Sequence, residues 1–270
     1  MRSESVPSHE YFPQRSLFHG SVPRVMGTRL ELIIVGKSAE DSLELWEKLC
    51  AEAFRLDLML NRFDPGSELS ELNSLSDAGE VFPSGEMLSL LRVCQSYRVA
   101  TGGLFDVSYS GCGSSPVVRG NVVDLRGGRL DFGGFAKGWF SRYALSVLKE
   151  AGVEHAFLDF GGSSIVTVGT HPFGDCWKVE VPDPFSGRTL CTVDLRGSCL
   201  SVSGNRPAYD GHIVDPRSGR PVTGRLVCVC VSADPLDAEV GSTAAIVGGR
   251  EKLDFLKNNL QLSEMHFFES

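Results

Sequence analysis

The sequence has no long hydrophobic run, no basic run and no cysteine spacing typical of a metal site. Its longest apolar stretches, such as 226–232, are far shorter than the roughly 20 residues that span a bilayer, which excludes a transmembrane helix. Lys and Arg number 26 against 34 Asp and Glu, a net charge of −8, which argues against a nucleic-acid partner. The eight cysteines form no C-x-x-C pair and no Cys/His cluster with zinc spacing, so we interpret them mostly as buried thiols.

The N-terminus also lacks the apolar core of a signal peptide. Residues 1–23 mix Ser, Glu, His, Arg and Pro, and the chain as given is therefore expected to be cytoplasmic. With 270 residues, 42% hydrophobic and 22% charged, the chain has ample material for a core. We predict an irregular N-terminal segment over 1–25 and a single domain over 26–270.

Hydrophobic periodicity predicts both helices and strands. The predicted helices are 38–60, behind a capping box at Ser38, then 84–100, 136–151 and 239–247. The predicted strands are 28–35, 155–160, 164–168, 177–181, 189–195, 200–203 and 226–232. Strands and helices come partly in separate runs, which favours an α+β fold with mixed sheets and flanking helices.

Glycine is the most informative residue type. Many of the 30 glycines are paired, and such pairs at the ends of strands and helices suggest a backbone that approaches a ligand closely. The sharpest case is Gly133-Gly134, which leads into a predicted helix and leaves free N–H groups beside Lys137. This is an anion-binding geometry, although the same pattern also serves as a plain tight connection.

Two further segments carry candidate chemistry. His212 lies in a polar stretch that begins at Tyr209-Asp210, and it precedes the turn signal Asp-Pro-x-x-Gly. It is either a general base or a residue that only fixes the turn. Glu239 and Thr243 are four apart and share a helix face. A carboxylate and a hydroxyl there suit a hard cation such as Mg²⁺, whereas the helix dipole alone also favours acids in this position.

Five motifs, in this order, resemble the FAD:protein FMN transferase family, the ApbE-like flavin transferases. They are Met26-Gly27-Thr28, the segment 61–73 that ends S-E-L-S-x-L-N, T-G-G-x-F-D at 101–106, D-x-G-G-x-A-K-G at 131–138, and H-I-x-D-P-x-x-G at 212–219. Each motif is short, but their combination and order are specific.

The resemblance implies two lobes around a flavin cleft, with FAD as substrate and Mg²⁺ at its diphosphate. FMN would pass to a Ser or Thr hydroxyl of an acceptor protein, with release of AMP. Two alternatives are a Mg²⁺-dependent FAD pyrophosphatase that gives FMN and AMP, and a flavin-binding protein without catalysis. The last is motivated by Glu239 and Ser163, which stand where the family usually has Asp. The acceptor segment implied by the family, D-x-x-[ST]-G-A-T, is absent from this chain, so the acceptor is expected to be another protein.

The resemblance also implies roles for individual residues. His212 would be the base that activates the acceptor hydroxyl. The metal would be bound by the main-chain carbonyl of Gly134 together with Glu239, Ser242 and Thr243. The residues implied to line the FAD site are Met26, Phe63, Leu104, Phe105, Asp106, Asp131, Lys137 and Ile213.

Overall fold

The structure, a computed structural model, describes residues 6–108, 115–208 and 211–269. Cys112, Tyr209 and Asp210, which the sequence analysis includes among the thiols and in the polar stretch before His212, lie outside the described residues, as do residues 1–5 of the N-terminal segment.

The described part of the chain contains helices and strands in the following order. The helices are α1 (Ala39–Leu60), α2 (Glu68–Ser74), α3 (Gly85–Ala100), α4 (Ala136–Glu150), α5 (Pro235–Gly248) and α6 (Leu253–Asn259). The strands are β1 (Ser8–Phe12), β2 (Leu17–Val25), β3 (Thr28–Val35), β4 (Glu80–Val81), β5 (Val117–Arg119), β6 (Val122–Asp124), β7 (His155–Phe160), β8 (Ser164–Val168), β9 (Trp177–Pro182), β10 (Thr189–Leu195), β11 (Cys199–Gly204), β12 (Val214–Asp215), β13 (Arg220–Pro221), β14 (Leu226–Ser232) and β15 (Glu264–Glu269).

Local capping signals determine where the long helices begin. Ser38 caps α1, with its Oγ accepting from the Asp41 N–H at 3.1 Å, and Ser84 caps α3 in the same way. Helix α5 begins at Pro235, four residues before the predicted start at Glu239, because Asp234 caps it by accepting from the Leu236 N–H at 2.9 Å. The Asp-Pro pair is thus an N-cap followed by the first helical residue.

An eight-stranded sheet forms the centre of the fold. Its strand order is β1-β2-β3-β7-β8-β11-β14-β15, and the prediction of an α+β fold is confirmed. The pairings among the described strands are antiparallel throughout, so the expected mixed sheets are not mixed in direction.

The prediction of an irregular segment over 1–25 is wrong for much of its described part. Residues 8–12 and 17–25 form β1 and β2, which extend the main sheet. In β2 the side chains of Phe18, Val22 and Val25 are buried. Gly20 occupies the buried position between Phe18 and Val22, and an added Cβ there would lie 2.6 Å from the Trp46 ring, so a glycine here makes room for a core tryptophan.

The sheet separates two hydrophobic clusters. Helices α1, α4 and α5 pack on one face over the larger cluster, and the β9–β10 hairpin covers part of the other face over a smaller one that includes Trp177. Helices α4 and α5 lie side by side, which brings their N-terminal halves together. None of the described helices is long and apolar enough to cross a membrane.

Candidate active site

A cleft of about 710 Å³ opens between the β2–β3 turn, the C-terminal end of α1 and the N-terminus of α4. This volume is typical of small-molecule sites. Four of the residues predicted to bind FAD line it, namely Met26, Phe63, Asp131 and Lys137. The cleft therefore collects residues from three separate motifs.

Met26 lies in a strained turn at the edge of this cleft. Met26 and Gly27 form the two-residue connection of the β2–β3 hairpin, with φ of 48° and 78°. A type I′ turn of this kind requires positive φ at both positions, which non-glycine residues adopt at a cost of roughly 1–2 kcal/mol. A methionine held in this conformation at a cleft is more consistent with a ligand contact than with turn formation alone.

Phe63 projects from the loop that follows α1. Its side chain is 81% exposed, and the Arg62 guanidinium carbon lies 4.7 Å from its ring centroid. The loop is fixed by its own polar groups, since the Asn61 carbonyl accepts from the Ser67 hydroxyl at 2.7 Å. An exposed aromatic ring on a fixed loop at a cleft is available for stacking on a planar ligand.

The segment before α4 is held in place by Asn73, from the S-E-L-S-x-L-N motif. Its side chain donates to the Leu130 carbonyl at 2.9 Å and accepts from the Leu130 N–H at 2.6 Å. The next residue, Asp131, accepts from the Gly133 N–H at 2.9 Å and forms an ion pair with Arg62 at 3.2 Å. Two of the motifs thus meet at one turn.

The N-terminus of α4 faces the cleft through Ala136 and Lys137. Its N-cap residue, Phe135, provides no side-chain cap, and the first turn contains no acidic residue. Helix N–H groups without a capping side chain carry a partial positive charge. Together with the Lys137 ammonium group they form an environment suited to phosphate oxygens.

Leu104, Phe105 and Asp106 do not lie among the described residues that line the cleft. Leu104 and Phe105 are buried, and Phe105 stacks on Phe135 with 6.2 Å between ring centroids. Phe105 therefore supports Phe135, the N-cap residue of α4, from within the core.

The Asp106 carboxylate is occupied by local partners. It forms an ion pair with Arg98 at 2.8 Å and accepts hydrogen bonds from the Ser108 N–H and the Ser115 hydroxyl. Thr101, which begins the same motif, accepts from the Phe105 N–H at 3.1 Å. In this structure the T-G-G-x-F-D motif ends α3 and shapes the chain that follows it.

The residues predicted to bind the metal come together behind Lys137. Glu239 is 3% exposed, and its Oε1 accepts a hydrogen bond from Lys137 Nζ. The hydroxyl groups of Ser242 and Thr243 lie one helical turn along α5 and are joined through Ser203, at 2.7 and 3.1 Å. A buried carboxylate, which would be costly alone, is compensated here by an ammonium group.

Glycines allow the close approach that builds this group of oxygens. At Gly138 an added Cβ would lie 2.7 Å from the Glu239 Cβ, and at Gly134 it would lie 3.3 Å from the Thr243 hydroxyl oxygen. The contact at Gly138 brings the α4 backbone against α5, and the contact at Gly134 brings the loop before α4 against α5. The D-x-G-G-x-A-K-G motif therefore combines a lysine that lines the cleft with two positions where a side chain would push α5 away.

The donor types in this group suit a hard cation. Glu239, Ser242 and Thr243 offer a carboxylate and hydroxyls, and Gly134 is placed next to Thr243, so all candidate ligands are oxygen atoms, as Mg²⁺ prefers. No group of three or more His, Cys, Asp or Glu side chains suited to a metal ion occurs among the described residues. The arrangement fits Mg²⁺ better than a softer metal.

The sequence did not predict that three serines belong to this site, either as ligands or as hydrogen-bond partners of the ligands. They are Ser164, Ser201 and Ser203, whose hydroxyls lie within hydrogen-bond distance of Glu239, Ser242 or Thr243. The available signal was the pair Ser201 and Ser203, which alternate in a strand and so share a face.

His212 is exposed and directly precedes the β12–β13 hairpin. The turn is closed by the Gly219 N–H donating to the Asp215 carbonyl at 2.7 Å. Arg217 binds the Asp215 carboxylate at 3.0 Å, and this hydrogen bond lowers the pKa of Asp215. The predicted Asp-Pro-x-x-Gly turn is confirmed, and it fixes the conformation of the backbone that follows His212.

Asn205 ties this hairpin to the main sheet. Its side-chain amide donates to the carbonyls of Val222 and Gly224, both at 2.9 Å, while Ile213 accepts from the Val222 N–H at 2.8 Å. Ile213 is buried. Neither His212 nor Ile213 lies among the described residues that line the cleft, so the structure places the two residues on an anchored arm.

A second polar cluster joins three helices behind the site. Tyr97 of α3 donates to Asp237 at 2.6 Å and accepts from Arg142 of α4 at 2.8 Å, and Arg142 also binds both oxygens of Asp234. Burial raises the pKa of the Asp237 carboxyl. The cluster fixes the start of α5, and with it the position of Glu239.

The profile of the ApbE family matches residues 26–114 and 114–266. The chain belongs to the ApbE family. The resemblance on which the sequence analysis relied is therefore confirmed.

Curated relatives of this ApbE-family chain share moderate identity with it. A protein of Rhodobacter capsulatus named FAD:protein FMN transferase is 28% identical over 268 residues, covering 84% of this chain and 51% of the relative. A protein of the same name from Escherichia coli (strain K12) is 24% identical over 279 residues, covering 85% and 78%. The chain thus spans about half the length of the Rhodobacter capsulatus relative.

Solved structures share the fold. The flavin transferase ApbE from Vibrio cholerae superposes with a TM-score of 0.79 at 18% identity, over 95% of this chain and 97% of that one. The apo form of the flavinyl transferase ApbE from Pseudomonas stutzeri gives 0.78 at 20% identity, over 95% and 93%. At such identities the likeness shows the fold.

Proposed function

We propose that this protein catalyses the Mg²⁺-dependent transfer of FMN from FAD to a Ser or Thr hydroxyl of an acceptor protein, with release of AMP. The observation that carries the proposal is the contact between Lys137 and Glu239, where the N-terminus of α4 opens on the cleft. The names of the curated relatives support the same reaction.

The diphosphate of FAD would lie at the N-terminus of α4. Lys137 offers an ammonium group at the cleft, and the helix supplies N–H groups without a capping side chain. Preorganised positive charge of this kind stabilises the charge that develops on phosphate oxygens during transfer.

Mg²⁺ would be bound by Glu239, Ser242, Thr243 and the Gly134 carbonyl. When bound, it neutralises phosphate charge and makes the phosphorus more susceptible to attack. Lys137, which already contacts Glu239, holds a second positive charge beside the same carboxylate.

The isoalloxazine end of FAD would contact Phe63 and Met26. Phe63 presents an exposed ring for stacking, and Met26 is fixed by its turn. Binding energy from this end, remote from the reacting phosphorus, holds the diphosphate in position for attack.

His212 would accept the proton of the acceptor hydroxyl. The hydroxyl oxygen forms a bond to the phosphorus on the FMN side, the bond from that phosphorus to the AMP oxygen breaks, and AMP leaves with the electron pair. His212 is exposed on an anchored arm, a position that an acceptor protein can reach from solvent. A positioned base of this kind contributes about 10²–10⁴-fold to a rate.

The test measures AMP released from FAD and Mg²⁺, with and without a protein that carries the D-x-x-[ST]-G-A-T segment. The wild-type protein is expected to release AMP only with the acceptor, and the flavin is expected to stay on the acceptor through denaturation. His212→Ala and Glu239→Ala should each lower the rate at least 100-fold. His266→Ala, which removes a histidine from the edge strand β15, is the matched control and should retain the wild-type rate.

Two other outcomes contradict the proposal. AMP release without any acceptor indicates a pyrophosphatase with water as nucleophile. Bound FAD that survives intact with Mg²⁺ and acceptor present indicates a flavin-binding protein without catalysis.

A further inference from the structure

Two buried serines hold the carboxylate of Glu239. Ser164 donates to Glu239 Oε2 at 2.6 Å, and Ser201 donates to the same oxygen at 2.9 Å. Both serines are at most 3% exposed. They lie on the adjacent strands β8 and β11, directly opposite each other in the sheet.

The two carboxylate oxygens of Glu239 therefore face different partners. Oε2 is bound by two hydroxyls of the sheet, whereas Oε1 faces Lys137, which lines the cleft. A glutamate side chain has three rotatable bonds, and hydrogen bonds to one oxygen restrict the orientation of the other. The hydroxyls thus leave a single oxygen directed to the cleft.

Packing of the sheet does not require a serine at either position. A hydroxyl buried without a partner is destabilising, and a small apolar residue would fill the same space without that cost. Ser164 lies in a strand whose five side chains are all buried. The presence of two paired serines, both bonded to one carboxylate oxygen, indicates that orienting Glu239 is their role.

We propose that Ser164 and Ser201 are positioning residues of the cation site, which bind Glu239 Oε2 so that Oε1 alone is presented to the cation. The inference rests on the proposed function, since it takes Glu239 as a Mg²⁺ ligand. Glutamate is one methylene longer than the aspartate that the family resemblance implies, and Mg²⁺ requires nearly ideal ligand geometry. The two hydroxyls compensate by fixing the longer side chain.

The experiment measures binding of Mn²⁺, as a spectroscopic probe for Mg²⁺, from the EPR signal of free Mn²⁺ in titrations with FAD present. The variant Ser164→Ala/Ser201→Ala should bind Mn²⁺ about 10–100-fold more weakly than the wild-type protein, as is typical when hydrogen bonds to a ligating carboxylate are removed. Ser42→Ala is the matched control, because Ser42 is also fully buried and its hydroxyl has no partner among the described residues. Its affinity should equal that of the wild type.

A double-mutant cycle with Glu239→Asp separates positioning from general packing. Shortening Glu239 withdraws the carboxylate from both hydroxyls, so Glu239→Asp should weaken Mn²⁺ binding in the wild-type background and cause a smaller further loss in the double serine variant. Equal losses in the two backgrounds would show that the serines do not act through Glu239. The cycle is read on variants whose unfolding temperatures are within a few degrees of wild type, and single serine variants replace the double variant if it unfolds earlier.

The outcomes distinguish the positioning role of the serines from the existence of the cation site. Unchanged Mn²⁺ affinity in the serine variants overturns the positioning role alone. Absence of Mn²⁺ binding by the wild-type protein overturns the cation site, and the positioning role with it.

Discussion

The close approach of α4 to α5 predicts that Gly138→Ala separates the two halves of the site. The added Cβ would lie 2.7 Å from the Glu239 Cβ and 3.0 Å from Leu236 Cδ1, whereas ordinary contact begins at 3.4 Å. The helices must therefore move apart by about 0.7 Å at this point. The Glu239 Cβ is attached directly to the α5 backbone, so a side-chain rotation cannot absorb the shift.

Two opposing effects set the change in stability. Alanine is better than glycine in a helix by about 1 kcal/mol, and overpacking costs about 1–3 kcal/mol. We expect a net loss of up to about 2 kcal/mol, which lowers Tm by up to roughly 8 °C for a chain of this size. The loss of function should be larger, because a displacement of this order between Lys137 and Glu239 disturbs groups that must be placed to within about 0.5 Å.

Calorimetry tests the predicted loss of stability in Gly138→Ala, and the FMN transfer rate tests the predicted loss of activity. Gly85→Ala is the control, since Gly85 begins α3 and an added Cβ there meets nothing within 4 Å. The control should be as stable as wild type or slightly more so, with an unchanged rate. If Gly138→Ala matches the control in both Tm and rate, the close contact between α4 and α5 does not set the geometry of the site.

Three further predictions concern the cleft and the thiols. Phe63→Ala should weaken FAD binding several-fold in a fluorescence titration, as the loss of about 1 kcal/mol of stacking implies, with no change in Tm. Phe82, which is also largely exposed, gives the control Phe82→Ala, and equal FAD affinities in the two variants would contradict the stacking role. Met26→Gly should weaken FAD binding in the same titration, because it removes the side chain at the cleft, while relief of roughly 1–2 kcal/mol of backbone strain offsets the lost packing of Met26 against the core. An FAD affinity equal to that of the wild type would contradict the ligand contact. Burial raises the pKa of the Cys50 thiol to about 12. Iodoacetamide at pH 8 should therefore modify the half-buried Cys176 and Cys191 before Cys50, and mass spectrometry showing Cys50 alkylated as fast as either of them in the native protein would refute its burial.

Local structure follows from sequence wherever the deciding contacts are local. Ser38 and Ser84 cap helices by bonding residues three positions on, and the alternation in 28–35 marks a strand whose bounds the structure reproduces. The hairpin turn after His212 is closed between Asp215 and Gly219. Such contacts depend on a few neighbouring side chains, so their signature is readable along the chain.

In the structure, some residues of the family motifs line the cleft and others stabilise the fold. Met26, Phe63, Asp131 and Lys137 line one cleft, which the proposed function assigns to FAD. Asp106 belongs to an equally recognisable motif, yet its carboxylate is occupied by Arg98 and nearby donors. A motif preserves the residues that a fold needs as well as those that a ligand needs, and sequence alone does not separate the two.

By itself, the sequence determined the helices with strong caps, the alternating strands, the α+β class and the family. Only the tertiary structure decided that residues 8–25 extend the sheet, that Lys137 meets Glu239 across 102 positions, and that Ser164 and Ser201 bind that carboxylate. The reason is physical. Helix capping and strand alternation depend on interactions between residues that are close in the chain. The site, in contrast, forms where α4 and α5 pack on one sheet, and this packing depends on the combined shape of residues that are remote in the chain.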